Sequence, residues 1–149
     1  MAGVILKARV LPHGEGLPLP NYASLGAAGL DLYAAIDSEL TLEPWATETI
    51  PTGIAIALPN GHEAQVRPRS GLARDYHLGI INSPGTIDSD YRGEIQVILT
   101  NFSDQPYTLR RGDRVGQLVV ARYETVEWEP VAELPPTIRA SGGFGHSGK

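Results

Sequence analysis

Residues 85–93 bring together side chains that can do chemistry: the carboxylates of Asp88 and Asp90, the phenol of Tyr91 and the guanidinium group of Arg92. These groups lie on a turn bracketed by Gly85 and Gly93, which makes a polar tip that could hold a ligand. The residues that follow alternate between polar and apolar, which predicts a strand. The segment therefore indicates a hairpin that holds a ligand. The alternative is an ordinary solvated β-turn, since glycine and aspartate are common turn residues.

A second candidate site lies at residues 68–72, where Arg69, Ser70 and Gly71 follow a predicted strand and open a predicted helical turn. Free backbone amides at a helix start, a hydroxyl and a guanidinium group can together bind an anion. The alternative is a helix capped by Ser70, with Arg69 as a surface side chain.

Two polar residues interrupt apolar runs. Asp31 lies within residues 27–34, and an unpaired buried carboxylate is costly. It therefore pairs with an arginine or approaches a cation, and the sequence leaves both open. Gln117 is a single amide in an apolar strand that follows the turn at residues 111–114. It is either a satisfied polar group on an edge strand or a ligand contact.

The last eleven residues, 139–149, form a glycine-rich tail that places Phe144 between Arg139 and Ser147. Such a tail cannot build a core, and a disordered end is one interpretation. The other is a functional lid, because glycine amides can approach phosphate oxygens and an aromatic ring can stack on a base.

The elements that position these residues are predicted to be strands. The chain of 149 residues has 17 glycines and 12 prolines, spaced between short runs rich in β-branched residues. This pattern predicts one all-β domain, either a sandwich, a jelly roll or a distorted barrel. Strands are expected at residues 4–10, 30–36, 47–50, 53–58, 62–67, 94–101 and 115–123.

Two details of that secondary structure follow from local signals. Residues 62–67 are expected to pair with residues 53–58 across the turn Pro59-Asn60-Gly61. A helical turn is expected at residues 70–76, with Ser70 as its cap.

Composition excludes several classes of function. The chain has no cysteine, which removes disulfides and thiolate chemistry and fits a cytoplasmic protein. We expect no membrane partner, because no run of about 18 apolar residues occurs, and no signal peptide, because the N-terminus lacks its pattern. A net charge of −5 argues against duplex nucleic acid. The four histidines show no metal-binding spacing.

Taken in order, five segments resemble the motifs of the homotrimeric all-β dUTPases: residues 27–32, 68–73, 85–93, 111–118 and 139–148. The resemblance implies a distorted jelly-roll β-barrel of the β-clip type with an extended glycine-rich arm. It divides the chain into a barrel, residues 1–124, and an arm, residues 125–149.

The resemblance also implies an activity, the hydrolysis of dUTP to dUMP and pyrophosphate, which lowers dUTP and supplies dUMP for thymidylate synthesis. Asp88 would activate the water that attacks the α-phosphorus, and Asp90 would be structural. Mg2+ would lie mainly on the triphosphate, with Asp31 holding it through water.

Substrate contacts are implied for every part of the nucleotide. Uracil would be read by the backbone of Gly85, Thr86 and Ile87, and by the side chain of Asn82. Tyr91 would stack under the deoxyribose, and Gln96 would line the pocket. Gln117 would contact phosphate or the water network, and Phe144 would stack on the face of uracil. The remaining residues would contact phosphates: Arg69, Ser70, Gly71, Arg139, Gly145, His146 and Ser147. His146 stands where the family often has serine or threonine.

Each active site of the family takes motifs from three subunits, so a homotrimer with shared sites is implied. Two alternatives are a dCTP deaminase of related fold, which can be bifunctional, and a non-catalytic nucleotide-binding regulator. Asn82 and the complete aromatic tail favour dUTP hydrolysis.

Overall fold

The computed structural model describes residues 3–143. Within that range the chain forms ten strands, one α-helix and a short 3-10 turn at Pro12–Gly14. The elements are β1 (Lys7–Val10), β2 (Leu30–Tyr33), β3 (Leu40–Leu42), β4 (Thr47–Ala57), β5 (His62–Arg67), α1 (Ser70–Tyr76), β6 (Leu78–Ile80), β7 (Gly85–Ile87), β8 (Glu94–Asn101), β9 (Tyr107–Leu109) and β10 (Arg114–Arg122).

The strands form two four-stranded antiparallel sheets and one two-stranded pair. The first sheet has the order β1-β4-β8-β6, the second has the order β2-β10-β5-β7, and β3 pairs with β9. Both sheets contribute to one apolar core, which includes Ile50 and Val97 from the first sheet and Leu32 and Leu118 from the second. This arrangement confirms the predicted all-β fold of jelly-roll type.

Strand β8 shows why the sequence forms this architecture. Ile95, Val97 and Leu99 are buried, whereas Gln96 and Ile98 between them point away from the core. A strand places alternate side chains on opposite faces. The same alternation that builds the core therefore delivers Gln96 to the opposite surface.

The expected hairpin across Pro59-Asn60-Gly61 is wrong. The turn exists, with the His62 amide donating to the Pro59 carbonyl at 3.2 Å. However, β4 pairs with β1 and β8, whereas β5 pairs with β10 and β7. A strand has two edges, and both edges of β4 are already occupied. The turn therefore carries the chain from one sheet to the other.

The expected hairpin at residues 85–93 is wrong for the same reason. Strand β7 pairs with β5 in the second sheet, and β8 pairs with β4 and β6 in the first. The polar segment between them therefore bridges the two sheets. Its two ends continue into strands of different sheets.

Other boundaries differ in smaller ways. The predicted strands at residues 47–50 and 53–58 form the single strand β4, which ends at Ala57. Its pairing with β8 is interrupted by a bulge between Pro51 and Ala55. The first two predicted strands are shorter than expected. The strands β3, β6, β7 and β9 were not predicted, since three residues are too few to show an alternation.

The predicted helical turn at residues 70–76 is confirmed as α1, but Ser70 does not cap it. The N-cap is Arg69, with no side-chain hydrogen bond, and Ser70 is the first helical residue. His77 ends the helix in the left-handed conformation, with φ of 54°.

Strand β10 ends at Arg122, and residues 123–143 contain neither helix nor strand. Most of their side chains are exposed. The division into a barrel and an arm at residue 124 stays a prediction. No helix in the described range has the length and apolar character needed to span a membrane.

Candidate active site

One cavity, of about 380 Å³, lies where β2, β10 and β5 meet the start of α1. Asp31 pairs in register with Gln117, and Gln117 in turn pairs with Arg67. Residues directly opposite each other in a sheet point to the same face. The predicted phosphate-binding residues Arg69, Ser70 and Gly71 line the same cavity. The structure thus brings together residues from three separated motifs.

Asp31 pairs with two arginines, which is one of the alternatives that the sequence left open. Its carboxylate accepts from Arg69 Nε at 3.0 Å and from Arg114 Nη1 at 3.3 Å. The side chain of Asp31 is 13% exposed, that of Arg69 is 25% exposed and that of Arg114 is 49% exposed. The pairing with Arg69 is the shorter and better buried of the two, so it orients the Arg69 guanidinium group within the cavity.

Gln117 is held against the strand connection that leads into α1. Its Nε2 donates to the Pro68 carbonyl at 2.9 Å. Strand β10 lies between β2 and β5, so the interpretation of Gln117 as an edge-strand group is wrong. On the other side, a Cβ at Gly29 would collide with the Gln117 amide oxygen. Glycine at position 29 therefore leaves the space that Gln117 occupies.

The amino-terminal turn of α1 supplies Ser70 and Gly71, both exposed. The first amides of a helix have no partner within the helix. A Cβ added at Gly71 would contact nothing within 4 Å. The surface above this turn is therefore open to a ligand.

A second cavity, also of about 380 Å³, lies along the outer face of β8 and β7. It gathers Asp88, Tyr91 and Gln96 with Thr86 and Ile87. Asp88 is exposed, so its carboxylate can reach solvent. Asp90 is also exposed but does not line this cavity. The structure thus separates the two carboxylates that the local sequence presents as a pair.

The segment between β7 and β8 is braced by its own hydrogen bonds. The Tyr91 amide donates to the Asp88 carbonyl at 3.2 Å. Arg92 Nη1 donates to the carbonyls of Ser89 and Tyr91 at 2.7 and 2.8 Å. The Tyr91 hydroxyl donates to the Glu94 carbonyl at 3.0 Å. Asp88 and Tyr91 consequently have a defined spacing across one turn.

Asn82 lies beside Gly85, at the opposite end of β7 from Asp88. An ideal Cβ built on Gly85 would come within 3.2 Å of Asn82 Nδ2 and 3.5 Å of Val66 Cβ. Glycine at position 85 therefore lets the Asn82 amide approach the backbone of β7. Gly85 itself is buried and pairs with Val66.

Among residues 3–143, the two cavities share no lining residue. The residues predicted to bind phosphate lie in the first, and the predicted catalytic and sugar-binding residues lie in the second. Within one chain the structure does not unite them. Arg139 lies in a turn of the arm, where its Nε donates to the Gly142 carbonyl at 2.8 Å. Phe144, Gly145, His146 and Ser147 lie outside the described residues.

Sequence reasoning did not single out several residues of these cavities. Arg67 lines the first cavity, and Thr49 and Glu94 line the second. Arg67 could not have been found from the sequence, because its place opposite Gln117 depends on the pairing of β5 with β10. Nor could Thr49, because its place in the cavity depends on the pairing of β4 with β8.

Shifted pKa values occur outside the two cavities. The side-chain hydrogen bond between Arg74 and Asp75 raises the pKa of Arg74 and lowers that of Asp75. A hydrogen bond from Arg110 to Glu39 raises the pKa of Arg110. Burial raises the pKa of Tyr107.

Within residues 3–143 no cluster of three or more histidines, aspartates or glutamates could hold a metal ion. Mg2+ is commonly bound by one or two carboxylates together with substrate phosphates, and it keeps several waters. The first cavity offers one carboxylate, Asp31, beside arginines that suit phosphate. This donor set fits a Mg2+ ion that arrives on a phosphate ligand.

The chain is thus an all-β protein with two separate cavities. The first, here called the cradle, is lined by Arg67 and Arg69. The second is lined by the carboxylate of Asp88 and the phenol of Tyr91. The family model described as dUTPase matches residues 15–148, and the chain belongs to the dUTPase family.

Relatives named deoxyuridine 5'-triphosphate nucleotidohydrolase occur in Anaplasma marginale and Neorickettsia sennetsu. The first is 53% identical, over 97% of this chain and 99% of the relative. The second is 52% identical, over 95% of each.

Solved structures agree with the fold. A mutant dUTPase of Staphylococcus bacteriophage 80alpha, solved with dUpNHpp, superposes with a TM-score of 0.87 at 25% identity, covering 97% of this chain and 99% of that one. A mutant dUTPase of the S. aureus phage phi11, described with a structural Mg(II) ion, has a TM-score of 0.79 at 25% identity, covering 89% of this chain and 99% of that one.

Proposed function

We propose that this protein hydrolyses dUTP to dUMP and pyrophosphate. The observation that carries the proposal is the cavity that places the exposed carboxylate of Asp88 one turn away from Tyr91. Asp88 would hold a water molecule and accept its proton as the oxygen attacks the α-phosphorus. A general base must lie within hydrogen-bond reach of the proton that it takes, and an exposed turn at the mouth of a cavity allows this. Pyrophosphate would leave from the opposite side of the phosphorus.

The second cavity suits a deoxyribonucleoside. The uracil would lie along the backbone of Gly85, Thr86 and Ile87, of which Thr86 and Ile87 line this cavity. The Asn82 amide, beside Gly85 at the other end of β7, would be its side-chain partner. Tyr91 would support the deoxyribose and leave no room for a 2′-hydroxyl. Gln96 projects into the same cavity from β8. A site built to pair with the polar edge of one base rejects a base that leaves those groups unpaired.

The first cavity suits the triphosphate. Arg69, oriented by Asp31, would donate to phosphate oxygens together with Ser70 and the Gly71 amide. Charge-assisted hydrogen bonds of this kind are stronger than neutral ones. Gln117 would contact phosphate or a nearby water. Mg2+ bound to the triphosphate would neutralise its charge, and Asp31 would hold that ion through water.

The separation of the two cavities supports a shared site in a homotrimer. One copy would supply the nucleoside pocket, and a neighbour would supply the cradle with Asp31 and Arg69. The described part of the arm exposes large apolar side chains, among them Trp128, which is 89% exposed, and Leu134, which is 82% exposed. Exposed apolar groups concentrated in one segment often mark an interaction surface. We propose that this arm lies on a neighbouring copy.

The arm would also bring its glycine-rich end over the bound nucleotide. Phe144 would stack on uracil, and Arg139, Gly145, His146 and Ser147 would close over the γ-phosphate. Closure would exclude water and strengthen the electrostatic interactions with the triphosphate. The proposal includes a cytoplasmic location, in keeping with a chain that has no cysteine.

A nucleotide screen tests the proposed reaction. The full chain is incubated with Mg2+ and each of dUTP, dTTP, dCTP and UTP, and both pyrophosphate and ammonia are measured. We expect pyrophosphate from dUTP far in excess of the other three. Ammonia from dCTP would instead identify a deaminase, and no product from any nucleotide would indicate a binding protein.

A further inference from the structure

A side-chain cluster outside the five motifs connects the N-terminal 3-10 turn to the nucleoside pocket. His13 Nε2 lies 2.5 Å from Glu94 Oε1, and the Gly53 amide donates to the same oxygen at 2.8 Å. The side chain of Glu94 is 18% exposed, and that of His13 is 33% exposed. These contacts join residues 81 and 41 positions apart in the sequence.

The bulge in β4 explains why this carboxylate is needed. Pairing between β4 and β8 shifts between Pro51 and Ala55, and Gly53 lies within that shift with φ of +70°. A bulge leaves a residue out of the ladder, and an unpaired buried amide is costly. The Glu94 carboxylate accepts this amide, while the Gly53 carbonyl accepts from the Leu11 amide at 2.8 Å. The start of β8 is thereby tied to β4 and to the segment leading into the 3-10 turn.

The same residue supports Tyr91. The Tyr91 hydroxyl donates to the Glu94 backbone carbonyl at 3.0 Å. The ring lies against Gly93, where a Cβ would collide with the phenol. The position of the phenol therefore depends on the position of the Glu94 backbone, and the Glu94 side chain anchors that backbone through His13 and Gly53.

We infer that His13 and Glu94 are positioning residues for sugar discrimination, acting through Tyr91. This inference rests on the proposed function, since it assigns the selection of deoxyribose over ribose to a cluster that holds Tyr91 in place. Glu94 also lines the nucleoside cavity, but its carboxylate oxygen Oε1 is engaged by His13 and Gly53. We therefore assign the cluster the role of positioning the Tyr91 phenol and not that of binding the sugar.

The experiment measures kcat and KM for dUTP and for UTP in the full chain carrying Glu94→Ala, Glu94→Gln or His13→Ala. Small displacements of positioning groups can cost up to about 100-fold in rate. We expect Glu94→Ala to lower the dUTP/UTP ratio of kcat/KM by about tenfold or more. His13→Ala should lower it less, because Gly53 still holds the carboxylate. Glu94→Gln should keep most of the ratio, because its amide oxygen can still accept from Gly53.

A matched control lies one residue away on both strands. Thr52 Oγ1 donates to the Ile95 carbonyl at 2.5 Å, so it also ties β4 to β8 but has no contact with Tyr91. Thr52→Val should lower the melting temperature and leave the dUTP/UTP ratio unchanged. If Glu94→Ala lowers stability without changing the ratio, or if Thr52→Val changes the ratio equally, the inference is overturned.

A further variant changes the packing around Tyr91 while it leaves His13, Gly53 and Glu94 unaltered. Gly93→Ala should displace the phenol and lower the same ratio, even if Glu94→Ala does not fold. Binding of dUMP and UMP to each folded variant gives a readout that does not need catalysis. Absence of dUTP hydrolysis by the unaltered chain would refute the proposed function alone. Unchanged dUMP/UMP selectivity in His13→Ala, together with lowered selectivity in Gly93→Ala, would refute the inference alone.

Discussion

The substitution Asp31→Asn separates two roles that the same carboxylate could have. It keeps the shape of the side chain and removes its charge. The structure shows the ion pair with Arg69 at 3.0 Å and the longer contact with Arg114 at 3.3 Å. The proposal that Asp31 holds Mg2+ through water is tested separately. If it is correct, the loss of the charge on Asp31 also weakens the binding of Mg2+.

The magnitude follows from burial. A hydrogen bond to a charged group is worth about 1.5–3 kcal/mol, and exposed ion pairs are worth little. Arg69 and Asp31 are mostly buried, whereas Arg114 is half exposed, so most of the effect should come from Arg69. We expect a loss of about 2 kcal/mol in the free energy of unfolding. For a chain of this size that corresponds to a melting temperature lower by roughly 4–8 °C.

The control is Glu39→Gln, which removes the same kind of pair at the surface. Glu39 Oε1 accepts from Arg110 Nε at 2.7 Å, but the two side chains are 62% and 68% exposed. No measurable change in melting temperature is expected, because solvent screens the pair. All variants are compared without nucleotide and at one protein concentration, since assembly would otherwise shift the result.

Activity as a function of Mg2+ concentration then tests the metal role. If Asp31 holds the ion through water, Asp31→Asn should raise the Mg2+ concentration for half-maximal rate by about tenfold, as outer-shell partners of metals commonly do. A wild-type melting temperature would refute the stabilising role of the ion pair. A wild-type response to Mg2+ would remove the metal role and leave Asp31 as an orienting group for Arg69.

Three further predictions concern the residues of the proposed reaction. Asp88→Asn should lower turnover of dUTP by at least roughly 10²–10⁴-fold, as expected for a lost general base, while binding measured by calorimetry persists; near-normal turnover would contradict the assignment. Tyr91→Ala should relax the preference for dUTP over UTP, measured as the ratio of kcat/KM values, and an unchanged ratio would remove Tyr91 from that role. Deletion of residues 139–149 should impair catalysis at an unchanged melting temperature; a parallel fall in both would make the tail structural.

The motifs at Asp31, Arg69, Asp88 and Gln117 could be found from the sequence because their chemistry is local. A carboxylate in an apolar run, or an arginine before a helix start, can be recognised from the adjacent residues alone. The all-β class followed from the spacing of glycines and prolines, since turns punctuate short strands.

Strand partners could not be predicted, because pairing depends on which edges are free after all strands have docked. The turns at residues 59–61 and 85–93 both suggested hairpins, and both instead carry the chain between sheets. The cluster of His13, Gly53 and Glu94 could not be predicted from the sequence either, because its members are distant in the chain and meet only through strand pairing.

The sequence by itself determined the all-β class, the helical turn at residues 70–76 and the residue types that can bind a nucleotide, because these depend on composition and local spacing. Only the tertiary structure decided that Asp31 pairs with Arg69 and that Asp88 lines a cavity without Asp90. It also decided that the cavity lined by Asp31 and Arg69 lies apart from the cavity lined by Asp88 and Tyr91. Those outcomes depend on the register and packing of two sheets, which place side chains by contacts between distant parts of the chain.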